Sequence, residues 1–352
     1  MSKWKTMSKQ SRGGFVNYGI VIIFFIIVQI FSATGHIGSS LSGQLVPICA
    51  YVIMALSLNL VVGISGELSL GHAGFMSVGA FTAAVVSGSL ASSVTFAPLR
   101  LLLAILVAVV LAAVAGFLIG IPVLRLQGDY LAIVTLAFGE IIKNVMNCLY
   151  VGVDSKGLHF SLTDANALNL DESGSVLING PIGATGIVKI STFFAGIVMV
   201  LITLFVIQNL VNSRSGRAIM AIRDNRIAAE ASGLNITKYT LMAFVTSAAL
   251  AGAAGALYAL NYSTIIPKKF DFNTSILVLV FVVLGGIGNM RGSMIAATIL
   301  VILPEILRAF SDFRMLVYAV VLIVVMIATN NEKGKILLKK LFGLFRKKKE
   351  AV

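Results

Sequence analysis

The chain has 352 residues, of which 58% are hydrophobic and only 12% charged, and its formal net charge is +13. Soluble domains hold roughly a quarter charged residues, so this composition excludes an ordinary water-soluble core and points to a polytopic helical membrane protein with no sizeable soluble domain. The positive charge does not indicate nucleic acid, because it is concentrated in short runs beside apolar segments.

In chain order, Lys3, Lys5, Lys9 and Arg12 precede a first apolar run at 17–34. No small-residue cleavage site closes that run, so a retained helix is expected rather than a signal peptide. Further runs follow at 44–63, 69–90, 98–121, 129–150, 187–210, 239–261, 273–290, 292–309 and 314–330. Each is close to the roughly 20 residues that cross a bilayer. The expectation is an all-α transmembrane helix bundle of about ten spans, with a basic amino terminus over 1–16, a membrane domain over 17–330 and a basic tail over 331–352. The tail holds Lys333, Lys335, Lys339, Lys340, Arg346, Lys347, Lys348 and Lys349 against Glu332 and Glu350. Cytoplasmic loops concentrate Lys and Arg, and such runs also touch anionic lipid. An even number of spans then leaves both termini cytoplasmic. The loop at 211–238 carries Arg214, Arg217, Arg223, Arg226 and Lys238 against Asp224 and Glu230, and falls inside. The loop at 151–186, with Asp154, Asp164, Asp171 and Glu172 against Lys156, falls outside. Its Gly, Asn, Ser and Asp clusters and Asn179-Gly180-Pro181 are turn chemistry, so short local structure is expected there. Arg100, Arg308 and Arg314 lie near outer ends as mild exceptions.

The second and third runs are separated by Gly63-Ile64-Ser65-Gly66-Glu67-Leu68-Ser69-Leu70-Gly71-His72-Ala73-Gly74-Phe75. Lipid cannot hydrogen-bond such groups, and glycine-rich polar backbone is tolerated at membrane depth only when buried in protein or lining a wet cavity. The stretch reads either as a tight cytoplasmic turn or as a broken helix beside a path, with Ser65, Gly66, Ser69, Gly71 and His72 as candidate path or break residues. Gly71, Gly74 and Gly79 would admit close helix approach. His72 reads more simply as a hydrogen-bonded packing residue. A second break, Leu284-Gly285-Gly286-Ile287-Gly288-Asn289-Met290-Arg291-Gly292, also joins two apolar runs, and the pair resembles a weak internal duplication of the kind transporters carry. Gly285, Gly286 and Gly288 are its candidate break residues.

Residues 216–233 are rich in helix formers (Ala218, Ile219, Ala221, Ile222, Ala228, Ala229, Ala231). Arg217, Arg223, Asp224, Asn225, Arg226 and Glu230 make the segment too polar to span, and Gly233 follows where a helix-terminating glycine is expected. A short cytoplasmic helix results, lying on the membrane surface or docking a partner. Within the spans, Glu140 and Lys143 are spaced for pairing on one helix face, as are Glu305 and Arg308. Mutual pairing near span ends favours a structural role for both. Asp129 after Gly128 suits a helix amino terminus. His36 and His159 carry no visible pattern. Pro304 predicts a kink, and Pro122 shapes a turn near a span end. Cys49 and Cys148 have no metal-ligand spacing and are expected as small buried hydrophobes. No phosphate-binding GxxxxGK[ST] loop occurs, and neither HExxH nor GxSxG is present. Energy therefore comes from a partner or an ion gradient.

Four segments carry a specific resemblance. The run ALSLNLVVGISGELSLGHAGFMSVGAFTAA (55–84) resembles the signature of inner-membrane permeases of branched-chain amino acid ABC importers. LRLQGDYLAIVTLAFGEII (124–142) is similar to the M-type permease of those systems. GRAIMAIRDNRIAAEASGLNITKYTLMAF (216–244) resembles the family's cytoplasmic coupling loop, and VLVFVVLGGIGNMRGSMIAA (278–297) its later glycine-rich segment. The likeness runs from about 50 to 325, while the lysine-rich tail after Asn330 departs from the family's pattern. The resemblance implies a permease that is not itself an enzyme, has no cofactor of its own, and sits in the cell (inner or plasma) membrane. It implies two ATP-binding cassette ATPases that hold ATP and Mg, a second homologous permease, and an extracytoplasmic substrate-binding protein. Arg217, Arg223, Asp224, Asn225, Glu230, Ala231 and Gly233 become expected ATPase-coupling residues, and the substrates branched-chain or related hydrophobic amino acids. The alternative is an ion-coupled secondary transporter, which would favour acids at the bilayer midplane; a third reading is a scaffolding membrane protein.

Overall fold

A computed structural model describes residues 9–33, 38–91, 93–126, 128–154, 157–171, 174–307, 316, 319–320 and 323. Lys3, Lys5, His36, Lys156, Glu172, Arg308, Arg314, the tail over 331–352 and almost all of the span expected at 314–330 lie outside the described residues. Contacts divide the chain into Met1–Thr298 and Ile299–Val352. The first holds the helix bundle; of the second, the described part is mainly the end of one helix.

The helices follow the apolar runs: α1 Lys9–Ala33, α2 Ser39–Asn59, α3 His72–Ser89, α4 Ala97–Val123, α5 Asp129–Cys148, α6 Phe193–Asn212, then two short helices α7 Arg214–Asp224 and α8 Arg226–Ala231, followed by α9 Ile236–Ala259, α10 Phe272–Gly285 and α11 Met290–Ile306. Helix α1 begins well before the apolar run at 17–34, and α2 carries Pro47 in its interior. Five helical stretches are long and apolar enough to cross a membrane: Leu41–Ser65, α4, α5, α6 and α9. With the shorter apolar helices Val16–Phe31 and Phe272–Gly285, they make this a polytopic helical membrane protein.

Burial separates central helices from peripheral ones. Within their most apolar stretches, 89% of α2 with its extension and 72% of α9 are buried, against 28% for α4 and 17% for α5. The central helices meet through small residues. A Cβ on Gly79 of α3 would lie 2.1 Å from the Gly252 carbonyl of α9, and one on Gly255 would lie 2.0 Å from the Met76 carbonyl. Without a hydrophobic drive between helices in lipid, such backbone approach supplies the packing energy. Phe81 and Phe281, both fully buried, fill the remaining space. Cys49 is buried, as its apolar run predicts, but Cys148 is exposed because it falls on the outward face at the last residue of α5.

The acidic loop forms more than local turns. Strands β1 Tyr150–Asp154, β2 Gly157–Ser161, β3 Ser175–Asn179 and β4 Gly183–Thr185 join β5 Thr264–Ile265, which comes from the segment after α9. The order is β2-β1-β3-β4-β5 and every pair is antiparallel. His159 of β2 lies 3.0 Å from the Asp154 carboxylate of β1. The sheet fixes the ends of α5 and α9 on one side of the bundle.

Candidate functional site

The glycine-rich stretch ends one helix and begins the next. Helix α2 continues into a π-helical turn, Leu60–Ser65, that stops at Gly66 with φ +79°. The backbone from Gly66 to Gly71 is irregular, and α3 starts at His72. Such π-turns occur where a helix carries function. Gly66 needs its glycine twice over: its φ disfavours a side chain, and a Cβ would lie 2.6 Å from Arg223 Cγ.

The second break closes on the first. Gly286 and Gly288 take φ +93° and +80° between α10 and α11, and a Cβ on Gly63 would sit 2.3 Å from the Gly288 nitrogen. Asn59, fully buried, clamps the junction. Its Oδ1 accepts from the Gly288 N–H at 2.8 Å, and its Nδ2 donates to Ser293 Oγ at 3.1 Å. Gly285 is a close-approach point, where a Cβ would lie 2.3 Å from the Ser293 nitrogen.

Around α3 a set of hydroxyls satisfies the freed backbone. The Leu70 N–H donates to Thr135 Oγ1 at 3.0 Å and the Ala73 N–H to Ser275 Oγ at 3.1 Å. Gly71 and Gly74 lie against α5, at Thr135 and Gly139 respectively. His72, 1% exposed, is enclosed between α2 and α9. Its Nε2 is 2.8 Å from Ser57 Oγ, while Ser247 Oγ donates to the Ser57 carbonyl at 2.5 Å. This is a packing histidine held by hydroxyls. Ser65 and Ser69 are both buried, and Ser69 Oγ has no hydrogen-bond partner among the described residues.

The segment expected as one cytoplasmic helix is two helices with an elbow. Asn225, extended at φ −155°, ends α7 and caps α8, its Oδ1 accepting from the Ala228 N–H at 3.0 Å. An asparagine favours caps over helix interiors because its side chain competes for backbone donors. Ser213 caps α7 in the same way, accepting from the Gly216 N–H at 3.1 Å. Gly233, φ +82°, closes α8: its N–H reaches the Glu230 carbonyl at 2.9 Å, and the Leu234 N–H reaches Ala229 at 3.1 Å, the paired bonds of a Schellman end. Ala218, Ile219 and Ile222 are buried, whereas Arg217, Arg223, Asp224, Asn225, Glu230 and Ala231 are exposed.

This hairpin touches the first break directly. Arg223 Nη1 donates to the Gly63 carbonyl at 3.0 Å, inside the π-turn, and its remaining nitrogens hold Asp224 at 2.7–3.0 Å. Arg226 Nη1 lies 3.9 Å from Glu67 Oε1. Burial pushes the Glu67 carboxyl above the ordinary carboxylate range, and Arg226 partly offsets this. Two kinds of residue escaped the sequence reading. Ile227 is 81% exposed at the elbow, a bare branched side chain on a polar surface; its signal was an apolar residue immediately after the Asn225-Arg226 cap. Asn59, Ser57, Ser247, Ser275 and Ser293 gave no signal, because single polar residues inside apolar runs have no pattern until the helices are packed.

The profile of a family described as the permease component of branched-chain amino acid transport systems matches residues 40–329. The high-affinity branched-chain amino acid transport system permease protein LivM of Escherichia coli K12 is 36% identical, over 79% of this chain and 66% of that protein, so the chain spans just under two thirds of the relative's length. A probable LivM of Methanocaldococcus jannaschii is 25% identical over 74% of this chain and 79% of its own. The ribose import permease RbsC of E. coli K12 is 26% identical over 80% and 82%. No solved structure gives a significant match. With the family profile covering most of the helix bundle and the whole α7–α8 hairpin, the chain belongs to the permease components of branched-chain amino acid transport systems.

Proposed function

We propose that this chain is the membrane-spanning permease subunit of an ATP-driven ABC importer for branched-chain or related hydrophobic amino acids. It forms half of a translocation path completed by a second, homologous permease. Two ATPase subunits bind ATP and Mg and grip the α7–α8 hairpin, and an extracytoplasmic binding protein delivers substrate. The complex sits in the cell membrane, with the chain crossing ten times, both termini inside, and the basic segments 1–16 and 331–352 on the cytoplasmic side.

Two sets of contacts support this topology. The sheet joins the segments after α5 and after α9, which belong to one face if five and seven spans precede them. The breaks at Gly63 and Gly288 and the hairpin at Arg223 also meet, and two, eight and six spans precede these. Odd crossings gather at one end and even crossings at the other.

The observation that carries the proposal is the Arg223–Gly63 hydrogen bond. It ties the hairpin to the π-turn, and Asn59 ties that turn to the second break. ATPase closure that displaces α7 and α8 therefore pulls on two broken helices at once. Ile227 inserts into the ATPase groove, and Asp224 and Glu230 set the register of docking. Co-purification of the complex, followed by ATP hydrolysis and uptake across a panel of amino acids, tests this. Stimulation by binding protein loaded with a branched-chain amino acid is expected. Uptake that stops with a proton ionophore while ATP is maintained would overturn it in favour of ion coupling.

A further inference from the structure

Helices α4 and α5 both present open faces, and the two faces differ in chemistry. The exposed side of α4 is Leu102, Leu106, Val110, Val114, Phe117 and Leu118, an apolar surface suited to lipid. Helix α5 exposes Ile133, Ala137 and Ile141, but interleaved with them are Asn144, which is exposed, and the Glu140–Lys143 ion pair. The pair is accessible, with 31% of the Glu140 and 19% of the Lys143 side chain open. At 1.5 Å per residue, Glu140 stands roughly 16 Å along a helix about 30 Å long. Taking α5 as a full span of the proposed topology, that places the pair near mid-membrane, where ionisable groups face a wet cavity or a protein interior rather than lipid.

The neighbouring helix adds a second reason. Helix α10 has 14 residues, about 21 Å at the helical rise, so the regular helix covers only part of its crossing. Its amino end lies at Glu140: the Phe272 N–H donates to Glu140 Oε1 at 3.2 Å, while Asp271 caps the same helix, accepting from the Thr274 N–H at 3.0 Å. Irregular backbone leading to a helix end at membrane depth is tolerated where it lines a water-filled cavity, and transporters place substrate there.

We propose that the face of α5 bearing Glu140, Lys143 and Asn144, with the amino end of α10, lines the outer half of the translocation path, and that the Glu140–Lys143 pair opens to read the ammonium and carboxylate of a zwitterionic α-amino acid. The inference rests on the permease reading above. Lys143 turns from Glu140 to the substrate carboxylate, and Glu140, held by the Phe272 N–H, takes the ammonium. The exchange swaps one ion pair for two without leaving a charge bare at membrane depth. Ala137 and Ile141 beside the pair offer apolar surface to an aliphatic side chain.

The test uses the full importer complex in a Cys148→Ser background, with single cysteines introduced as Ala137→Cys or Asn144→Cys on α5 and Val114→Cys on α4. A membrane-impermeant thiol reagent applied from outside is expected to modify the two α5 positions at least about tenfold faster than the α4 position, the factor that roughly 1.4 kcal/mol of access difference gives. Millimolar leucine should slow the α5 reactions, whereas leucinamide, which lacks the carboxylate, should not. Glu140→Gln and Lys143→Met, in complexes that still co-purify with their ATPases, should abolish that protection. A double swap, Glu140→Lys with Lys143→Glu, separates reading from scaffolding: protection regained in the swap would mean that the pair only braces the helix. Equal reactivity of α5 and α4, or α5 cysteines that crosslink to the second permease and ignore the reagent, would overturn the path assignment. If the wild-type complex imports no amino acid while its α5 cysteines still react, the wet face stands and the permease reading fails.

Discussion

Arg223 joins the hairpin to the first break through one side chain, the link that the proposed coupling of motor to path requires. Its side chain leaves the hairpin and donates to a carbonyl inside a π-turn. Hydrogen bonds from charged donors contribute about 1.5–3 kcal/mol, so Arg223→Met should leave ATPase co-purification intact while uptake falls by about tenfold or more, with ATP hydrolysis running uncoupled. Equal losses of assembly and uptake would show that Arg223 belongs to the docking surface instead. At the other end of the same bond, Gly63 has no room for a methyl group, with Asn59 Oδ1 2.1 Å and the Gly288 nitrogen 2.3 Å from a Cβ. Gly63→Ala should cost on the order of 1–3 kcal/mol by overpacking, read as a lowered melting temperature of the purified complex. Glu67 gives the site a pH signature. Its folded pKa is raised by burial, so the native state binds its proton more tightly than the unfolded chain does. The contribution is fully present below the ordinary glutamate range and is lost as pH rises through the raised value. Glu67→Gln should flatten that part of a melting-temperature profile; an unchanged slope would place the titration elsewhere.

At the scale of elements, the hairpin is a pair of helices hinged at Asn225, and its geometry depends on two local devices. Asn225→Ala removes a cap worth about 1 kcal/mol, and Gly233→Ala forces a left-handed backbone at about 1–2 kcal/mol. Neither change touches a partner-facing side chain directly, yet both should weaken ATPase co-purification by fraying α8. Ile227→Asp should weaken it further while leaving the permease's own melting temperature unchanged, because Ile227 packs on little within the chain. These elements differ in how far they could be read in advance. The apolar helices were legible because apolar runs near the length of a bilayer have few alternative fates, and Gly233 was legible because a glycine after an alanine-rich helix has one common use. The elbow was missed because Ala, Ile and Arg on both sides of Asn225 favour a continuous helix, and only the cap bond shows which competing preference wins. The sheet was missed in part because β5 comes from beyond α9, and a two-residue strand has no periodicity to read.

For the whole molecule, the arrangement is one in which small residues hold α3, α4 and α9 close while the glycine breaks after α2 and between α10 and α11 meet. The breaks were visible in the sequence as glycine clusters, but their contact was not, since Asn59 and Gly288 are 229 positions apart and no local pattern encodes so distant a partner. On the proposed topology their meeting marks the cytoplasmic end and the sheet the other, so sidedness can be measured without transport. In cells, Ile227→Cys on the exposed elbow should resist a membrane-impermeant thiol reagent until the membrane is opened. Leu158→Cys on the exposed β2 strand should react at once. On the proposed topology the two behave oppositely, with six spans before the first and five before the second. Like reactivity at both positions would break the even–odd assignment, and with it the mechanical link from hairpin to path, since an elbow outside the cell has no ATP-driven motor to follow.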